Sequence, residues 1–482
     1  MGRKNQKLNI FFFPFLAYGH MIPALDMAKL FAARGVKTTI ITTPLNAPFF
    51  SKTIQRTRFL AQEIHIETIE FPSKESGLFQ GCENVDSVPS QELVIPFYEA
   101  TATLREPLEQ LLGEHLPTCL VADMFFPWTT DAAAKFGIPR IVFHGMSFLS
   151  LSAWESIRLY EPHNKVLSDS EPFLIPNLPS EIKLTRFQLP EFIRQNVNNS
   201  MTKLLKEAEE SGVRSYGVVV NSFYELEPAF ADHYKKVLGV KAWQIGPFSL
   251  SNKENKEKSQ RGVETSIDEE ECLNWLNSKK PNSVVYVSFG SIAKFSASQL
   301  VEIALGLEAS GQQFIWVVRC GTKNGDGNED WLPEGFEERM EGKGLVIRGW
   351  APQLLILDHE AVGAFVTHCG WNSTLEGVCA GVPMVTWPVF ADHFFNEKLL
   401  TQVLKVGVGV GVQKWVRWEG DSVKREAVAK AVKYVMEGGE EIKEMRKKAR
   451  ALGVMAKRAV EEGGSSYSDL SALIEELRAL AS

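Results

Sequence analysis

The sequence predicts an α/β protein built from two doubly wound parallel sheets, and three observations carry that expectation. Short apolar and β-branched runs alternate with helical patterns through the first half of the chain. A polar, charged segment at Ser251–Ser266 then interrupts the alternation, which restarts beyond it. The 482 residues also exceed the ~250–300 at which one hydrophobic core stops growing.

Leu8–Leu16 is a near-continuous apolar run, as a strand covered on both faces requires. A turn at Tyr18-Gly19-His20 is expected next, followed by helical spacing in Ile22, Leu25, Met27, Ala28, Leu30 and Phe31. Val36–Thr42, Cys119–Ala122 and Ile141–Phe143 read as further strands, with Trp128–Phe136 helical between the last two. Ala242–Phe248 closes the first unit at Gly246-Pro247. In the second half, Ser283–Ser288 is a strand, Gly290-Ser291 a turn and Gln299–Ser310 a helix. Phe314–Val318, Leu345–Ile347, Ala364–Thr367 and Met384–Trp387 are the remaining strand candidates. The expected division is a first domain over 1–250, a linker over 251–266 and a second domain over 267–460. A C-terminal helix over 461–482 is expected to pack back on the first domain. The cleft between two such domains is the default place for a ligand.

Composition narrows the function. An apolar fraction of 44% and a charged fraction of 23% are those of a globular protein. The formal charge of −7 argues against a nucleic-acid partner, which needs a strongly basic face. The basic run Lys443–Lys448 is interrupted by an acid and reads as a solvated helix face. Six cysteines, Cys82, Cys119, Cys272, Cys320, Cys369 and Cys379, show no CxxC pairing and read as reduced thiols. His368, Cys369 and Cys379 lack zinc-ligand spacing, so no metal is expected. Arg3, Lys4 and Lys7 ahead of Ile10–Ala17 imitate a signal peptide, but Pro14 breaks the run. No apolar stretch reaches the ~20 residues that span a bilayer. The expectation is a cytoplasmic monomer with no integral membrane segment.

The densest chemistry lies in Trp350–His393. There Ala364–Thr367 reads as a strand, His368-Cys369-Gly370-Trp371 as a tight turn, and Asn372 onward as a helix. A helix start at the C-terminal end of a parallel strand offers amide N–H groups and a positive dipole end, an anion site suited to a diphosphate. His368 would point into the same place. Each residue also has an ordinary structural reading. Asn372 or Ser373 is a fair N-cap, and Ser373-Thr-Leu-Glu376 matches a capping box. His368 and Trp350 could equally be core side chains.

The combination decides. From Trp350 through Gln353, His368-Cys369-Gly370-Trp371-Asn372-Ser373, Glu376, Gly377, Pro383 and Trp387-Pro388 to Asp392, the segment resembles the signature of plant secondary-product UDP-glycosyltransferases, family 1 enzymes of GT-B fold. The likeness extends to Pro14 with Gly19-His20-Met21-Ile22-Pro23, and to Val287-Ser288-Phe289-Gly290-Ser291. The opening and the Phe394–Lys398 tail are most similar to the branch acting on flavonoids, triterpenoids and other phenolics.

The resemblance implies two Rossmann-like domains facing across a cleft, the first binding the acceptor and the second the UDP-sugar. It implies that Trp350 stacks on uracil, with Ala351 and Gln353 at base and ribose, and that Glu376 accepts from the ribose hydroxyls. It gives the diphosphate to His368, Asn372, Ser373 and Ser291, with Trp371 in the same donor-binding set. Asp392 and His393 then meet the sugar hydroxyls. Most glucosyl-transferring relatives carry Gln where His393 stands, so UDP-galactose remains open behind UDP-glucose. His20, just past the first strand, is the implied base, and Asp123, at the end of Cys119–Ala122, its orienting carboxylate. Ser147 would border the sugar or acceptor. The diphosphate charge falls to these protein groups, so neither metal nor cofactor is implied, the UDP-sugar being a co-substrate.

Two rivals stay in view. A nicotinamide-dependent oxidoreductase would want a Gly-rich turn after the first strand, where Ala17-Tyr18-Gly19-His20 supplies one glycine. An inactive sugar-nucleotide binder would have no need of His20 and Asp123. The run Val406–Val412 lacks GxGxxG spacing, and Gly145-Met-Ser147-Phe-Leu149 lacks the second glycine of a nucleophile elbow.

Overall fold

The computed structural model describes residues 8–56, 64–195, 197, 199–318, 331–419 and 422–481. Cys320 and the basic residues ahead of Leu8 lie outside that set. Seven parallel strands form the first sheet: β1 (Asn9–Phe13), β2 (Lys37–Thr42), β3 (Ile64–Thr68), β4 (Cys119–Asp123), β5 (Arg140–His144), β6 (Gly217–Val220) and β7 (Ala242–Gln244). Their order is β3-β2-β1-β4-β5-β6-β7. Six more form the second sheet: β8 (Val284–Ser288), β9 (Gln313–Val318), β10 (Gly344–Arg348), β11 (Val362–Thr367), β12 (Met384–Thr386) and β13 (Gly407–Gly409). They are also all parallel and run β10-β9-β8-β11-β12-β13. Each sheet therefore winds outward from its first strand, reverses, and winds the other way from its fourth. The place between those two strands is the switch point at which doubly wound sheets open a crevice.

The apolar runs became central strands for the expected reason. Every residue of β4, β5, β8 and β11 is buried, because helices cover both faces of a parallel sheet. Several elements differ from the sequence expectation, β3 and β6 being strands it did not name. Tyr18-Gly19-His20 is not a turn but the first turn of helix α1 (Tyr18–Ala32), with Ala17 at the N-cap position. The Tyr18 amide is capped by Asp86 Oδ2 at 2.9 Å, from 68 residues away, which no local pattern announces. The Gly-Val repeat after Val406 supplies the last strand, β13, paired with β12.

The chain divides into two compact units, and their bounds depart from the expected ones. The first comprises 1–146, 196–253 and 458–482, and the second 147–195 and 254–457. Residues 147–195, expected with the first domain, therefore group with the second. They open on helix α2 (Phe148–Tyr160). The segment expected to be a linker is not a bare tether: it contains a short helix, Asn255–Ser259, and from residue 254 onward it belongs to the second unit. In that unit lie helices α3 (Gln353–Leu357), α4 (Trp371–Ala380) and α5 (His393–Lys398).

The final helix, α6 (Ser465–Ala481), is part of the first unit. Leu470, Leu473, Ile474 and Leu477 recur at helical spacing and bury themselves in the same core as Ile10, Phe12, Phe31 and Val121. Asp469 Oδ2 also accepts from the Gln244 amide of β7 at 2.8 Å.

Candidate active site

The first constellation stands at the switch point of the first sheet. β1 and β4 are neighbours there, and His20 lies one helical turn beyond β1 while Asp123 ends β4. His20 Nδ1 and Asp123 Oδ2 are 2.7 Å apart, with the carboxylate fully buried and the imidazole 22% exposed. An ionised carboxylate only accepts, so Nδ1 carries the proton and the ring lone pair sits on Nε2. Asp123 Oδ1 accepts from the Phe125 amide at 3.1 Å, which fixes the carboxylate plane. Phe15 and Phe125 hold the imidazole, their ring centroids 5.5 and 5.6 Å from it.

A residue that the sequence reading missed stands behind this pair. Arg140, on β5, is buried and donates through Nη2 to the Asp123 carbonyl at 2.9 Å. Its Nη1 reaches Thr130 and Ser215 at 3.0 and 3.1 Å. Burial pulls the guanidinium down to about 9, and the Asp123 charge pulls it back up. The buried carboxylate thus has a buried cation nearby, which offsets part of its desolvation. His144, at the end of β5, is pushed down to about 4 by burial and stays neutral at pH 7. An arginine in a β-branched strand was the available signal.

Aromatic rings gather beside His20. Phe15 stacks on Tyr98 at 5.0 Å and meets Phe125 at 4.9 Å, and Tyr98 meets Phe125 at 5.3 Å. Phe125, Tyr98 and Trp128 keep partial exposure, whereas Phe11, Phe12, Phe13 and Phe15 are buried. Core packing is therefore the main role of the Phe11–Phe15 run. Phe148 is buried within the second unit.

The second constellation stands at the equivalent place in the second sheet, where β8 and β11 are neighbours. β11 ends at Thr367, and His368 leads into α4 through Cys369, whose φ of +64° is rare for a side-chain-bearing residue. The helix starts at Trp371, one residue earlier than expected, with Gly370 at the N-cap position and no side-chain cap. This corrects the capping-box reading. Glu376 sits in the second turn rather than the first, so it cannot reach back to a cap. A helix start of this kind favours an approaching anion through its dipole.

His368 is partly exposed at its edge, yet Nδ1 is buried without a protein partner. Burial pushes the ring down to about 4, so it is neutral at pH 7. Space beside it is kept open by glycine. A Cβ on Gly290 would fall 2.6 Å from His368 Nε2, and one on Gly370 would fall 2.4 Å from it. Gly290 also needs its φ of +72° for the turn that presents Ser291.

Gln353 and Glu376 are joined by structure. Gln353 Nε2 donates to Glu376 Oε2 at 2.5 Å and to Ser373 Oγ at 3.2 Å, while its Oε1 accepts from Tyr286 at 3.2 Å. Ala351 is buried and Trp350 half-buried at the turn into α3. Asp392 and His393 sit at the start of α5, just after Ala391 with its φ of +51°. The His393 ring meets His368 edge-on, centroids 4.8 Å apart at 89°. Its Nδ1 accepts from the Phe390 amide at 3.2 Å, which fixes the neutral ring as a donor through Nε2. Burial, with His368 beside it, holds its pKa well below the ordinary value. Trp371, Asn372 and Ser373 form the first turn of α4.

Ser147, expected to border the sugar or acceptor, is fully buried. Its Oγ caps α2 by accepting from the Ser150 amide at 3.0 Å and donates to Asn396 Oδ1 at 3.1 Å. Ser150 donates to the same oxygen at 3.1 Å. Asn396 Nδ2 in turn donates to Asp392 Oδ2 at 2.8 Å and to the Cys369 carbonyl at 2.9 Å. All four hydrogen-bonding positions of this buried amide are used, and they tie the Asp392 carboxylate to the turn beside His368.

Among the described residues, no three His, Cys, Asp or Glu side chains gather as a metal site, and no helix is long and apolar enough to cross a membrane. Cys82, Cys119, Cys272, Cys369 and Cys379 are buried and free of disulfides.

Comparison with known proteins bears on this arrangement. A family model described as UDP-glucoronosyl and UDP-glucosyl transferase matches residues 264–446. The chain is 60% identical to a scopoletin glucosyltransferase of Nicotiana tabacum over 476 residues, 99% of each chain. It is 56% identical to a UDP-glucose flavonoid 3-O-glucosyltransferase of Fragaria ananassa, covering 99% of this chain and 97% of that one. A Glycyrrhiza uralensis structure, UGT73P12 complexed with glycyrrhetinic acid 3-O-monoglucuronide, matches with a TM-score of 0.92 at 46% identity, covering 98% of this chain and 96% of its own.

Proposed function

This chain belongs to the plant family 1 UDP-glycosyltransferases of GT-B fold, and from that premise we propose that His20 and Asp123 are its catalytic pair. The enzyme transfers a sugar from a UDP-sugar to a hydroxyl of a small lipophilic acceptor. The observation that carries the assignment of roles is the 2.7 Å contact between His20 Nδ1 and the buried Asp123 carboxylate. It leaves Nε2 as the proton-accepting nitrogen of a ring whose orientation is fixed.

In this reading, Nε2 takes the proton of the acceptor hydroxyl as the oxygen attacks the anomeric carbon from the face opposite UDP. The bond to the β-phosphate oxygen breaks, its electron pair leaves with UDP, and an α-linked donor becomes a β-O-glycoside. Asp123 stabilises the imidazolium formed. The developing diphosphate charge is met by the start of α4, with hydrogen bonds from His368, Asn372, Ser373 and Ser291. That is preorganised stabilisation, and no step is assigned to a metal or other cofactor. Trp350 stacks on uracil beside Ala351, Gln353 and Glu376 hold the ribose, Trp371 backs the helix start, and Asp392 and His393 hold the sugar. UDP-glucose is the donor.

The acceptor is a planar phenolic. Its support is the partly exposed Phe125 beside His20 with Tyr98 packed against it, rings that suit a flat aromatic face. A phenol, with a pKa of about 10, also yields its proton to an imidazole more readily than an alkyl alcohol does. The first unit then binds the acceptor and the second the donor, in a cytosolic monomer.

The test is His20→Ala. Turnover of UDP-glucose with a flavonoid or coumarin acceptor falls by at least 10³-fold, comparable to loss of a triad base, while UDP still raises the melting temperature. Near-normal turnover in that variant would remove the assignment.

A further inference from the structure

The polar segment between the two repeating patterns has no place in the roles assigned so far. Its composition marks it as a tether, yet the structure docks it on the nucleotide-binding residues of the second unit. The short helix Asn255–Ser259 lies beside α3, where Lys258 pairs with Asp358 at 2.5 Å. Ser266 brackets Trp350, its amide donating to the Trp350 carbonyl at 2.7 Å and its Oγ accepting from the Trp350 amide at 2.9 Å. That approach requires Gly349, since a Cβ there would fall 2.0 Å from Ser266 Oγ. Between these anchors, Arg261 Nη1 donates to Glu376 Oε1 at 2.5 Å, with 9% and 4% of the two side chains exposed.

We propose that Arg261 is a positioning residue for the nucleotide, holding Glu376 so that its carboxylate receives the ribose diol. The inference rests on Glu376 being the ribose residue. A carboxylate offers about four lone-pair sites on its two oxygens. Arg261 takes one on Oε1 and Gln353 one on Oε2. The two sites left, one per oxygen, match two adjacent hydroxyl donors. The guanidinium also supplies a permanent positive charge to a carboxylate otherwise buried in α4, and its fixed donor geometry sets the rotamer. Removing it leaves the anion short of a partner and able to turn away.

Calorimetric titration of the full chain with UDP and with 2′,3′-dideoxy-UDP separates this role from simple support of the fold. Arg261→Ala weakens UDP binding by about tenfold, the cost of a charge-assisted hydrogen bond, and dideoxy-UDP binding by less than about twofold. Arg261→Lys restores part of the loss. Equal weakening of both nucleotides would mean a merely structural role, and unchanged or tighter UDP binding would likewise overturn the inference. Glu376→Ala is the control for the reading beneath it. If that variant loses UDP affinity while Arg261→Ala does not, Arg261 alone is misassigned. If neither variant affects UDP, the ribose role of Glu376 has failed as well.

Discussion

The two sheets share one strand order and place their chemistry at one topological position, yet the two positions are furnished in opposite ways. At the first, the ends of β1 and β4 lead to a histidine and a buried carboxylate among aromatic rings, with the buried Arg140 reaching the Asp123 carbonyl from the start of β5. At the second, the ends of β8 and β11 lead to glycines, a left-handed Cys369 and an uncapped helix start. A doubly wound sheet thus fixes where a site forms. The residues after its first and fourth strands fix what the site does. In the proposed roles, a histidine–carboxylate pair among rings suits a proton and an aromatic face, whereas a helix start suits an anion.

Substitutions that act on one position alone test this comparison. The largest expected effect is at the first. Asp123→Asn neutralises the carboxylate and turns an NH2 donor toward Nδ1 while its oxygen keeps the Phe125 amide, and kcat falls on the order of 10³- to 10⁴-fold, as in triads where the orienting carboxylate is neutralised. UDP affinity, measured by calorimetry, stays within twofold of the parent in this expectation, about 0.4 kcal/mol.

At the second position, Asn396→Ser shortens the amide that ties Asp392 to Cys369. KM for UDP-glucose rises about tenfold, the worth of one hydrogen bond to a charged group, while the Kd of UDP, which has no sugar, hardly changes. Equal losses for both ligands would mean that Asn396 supports the fold rather than the sugar site.

A smaller effect concerns pH. His368 is held down at about 4 by burial, and an approaching diphosphate favours its protonated form. Its pKa therefore rises on binding, and affinity for UDP-glucose increases several-fold as pH falls from about 7 to 5. His368→Gln flattens that dependence. Stability moves the other way. The depressed pKa values of His144, His368 and His393 give stability that is present above the unfolded value of about 6.5 and lost as pH falls toward 4. Melting temperatures between pH 7 and 4 report it. The smallest effect is chelation: EDTA leaves turnover unchanged, because the diphosphate charge is assigned to protein groups.

The sheets could be read from sequence because parallel strands covered on both faces must be apolar along their length, as Ile10–Phe13 and Val362–Val366 are. His20 and Asp123 each follow such a run, but their roles came from the family resemblance rather than from that position. What could not be read depends on contacts distant in sequence. Asp86 begins α1 from 68 residues away. Arg140 supports Asp123 from the next strand, and Arg261 reaches Glu376 across 115 residues from a segment that composition marks as a tether. Ser147 was placed by motif resemblance, but its hydroxyl is taken up by α2 and Asn396.

The most direct measurement pairs turnover with UDP affinity in His20→Ala and Glu376→Ala, examined side by side. The separation of labour predicts a crossed pattern. His20→Ala loses turnover and keeps its Kd for UDP, while Glu376→Ala weakens UDP binding about tenfold or more and regains much of its turnover at saturating donor. A His20→Ala protein that no longer binds UDP, or a Glu376→Ala protein with unchanged Kd and lost turnover, would contradict it.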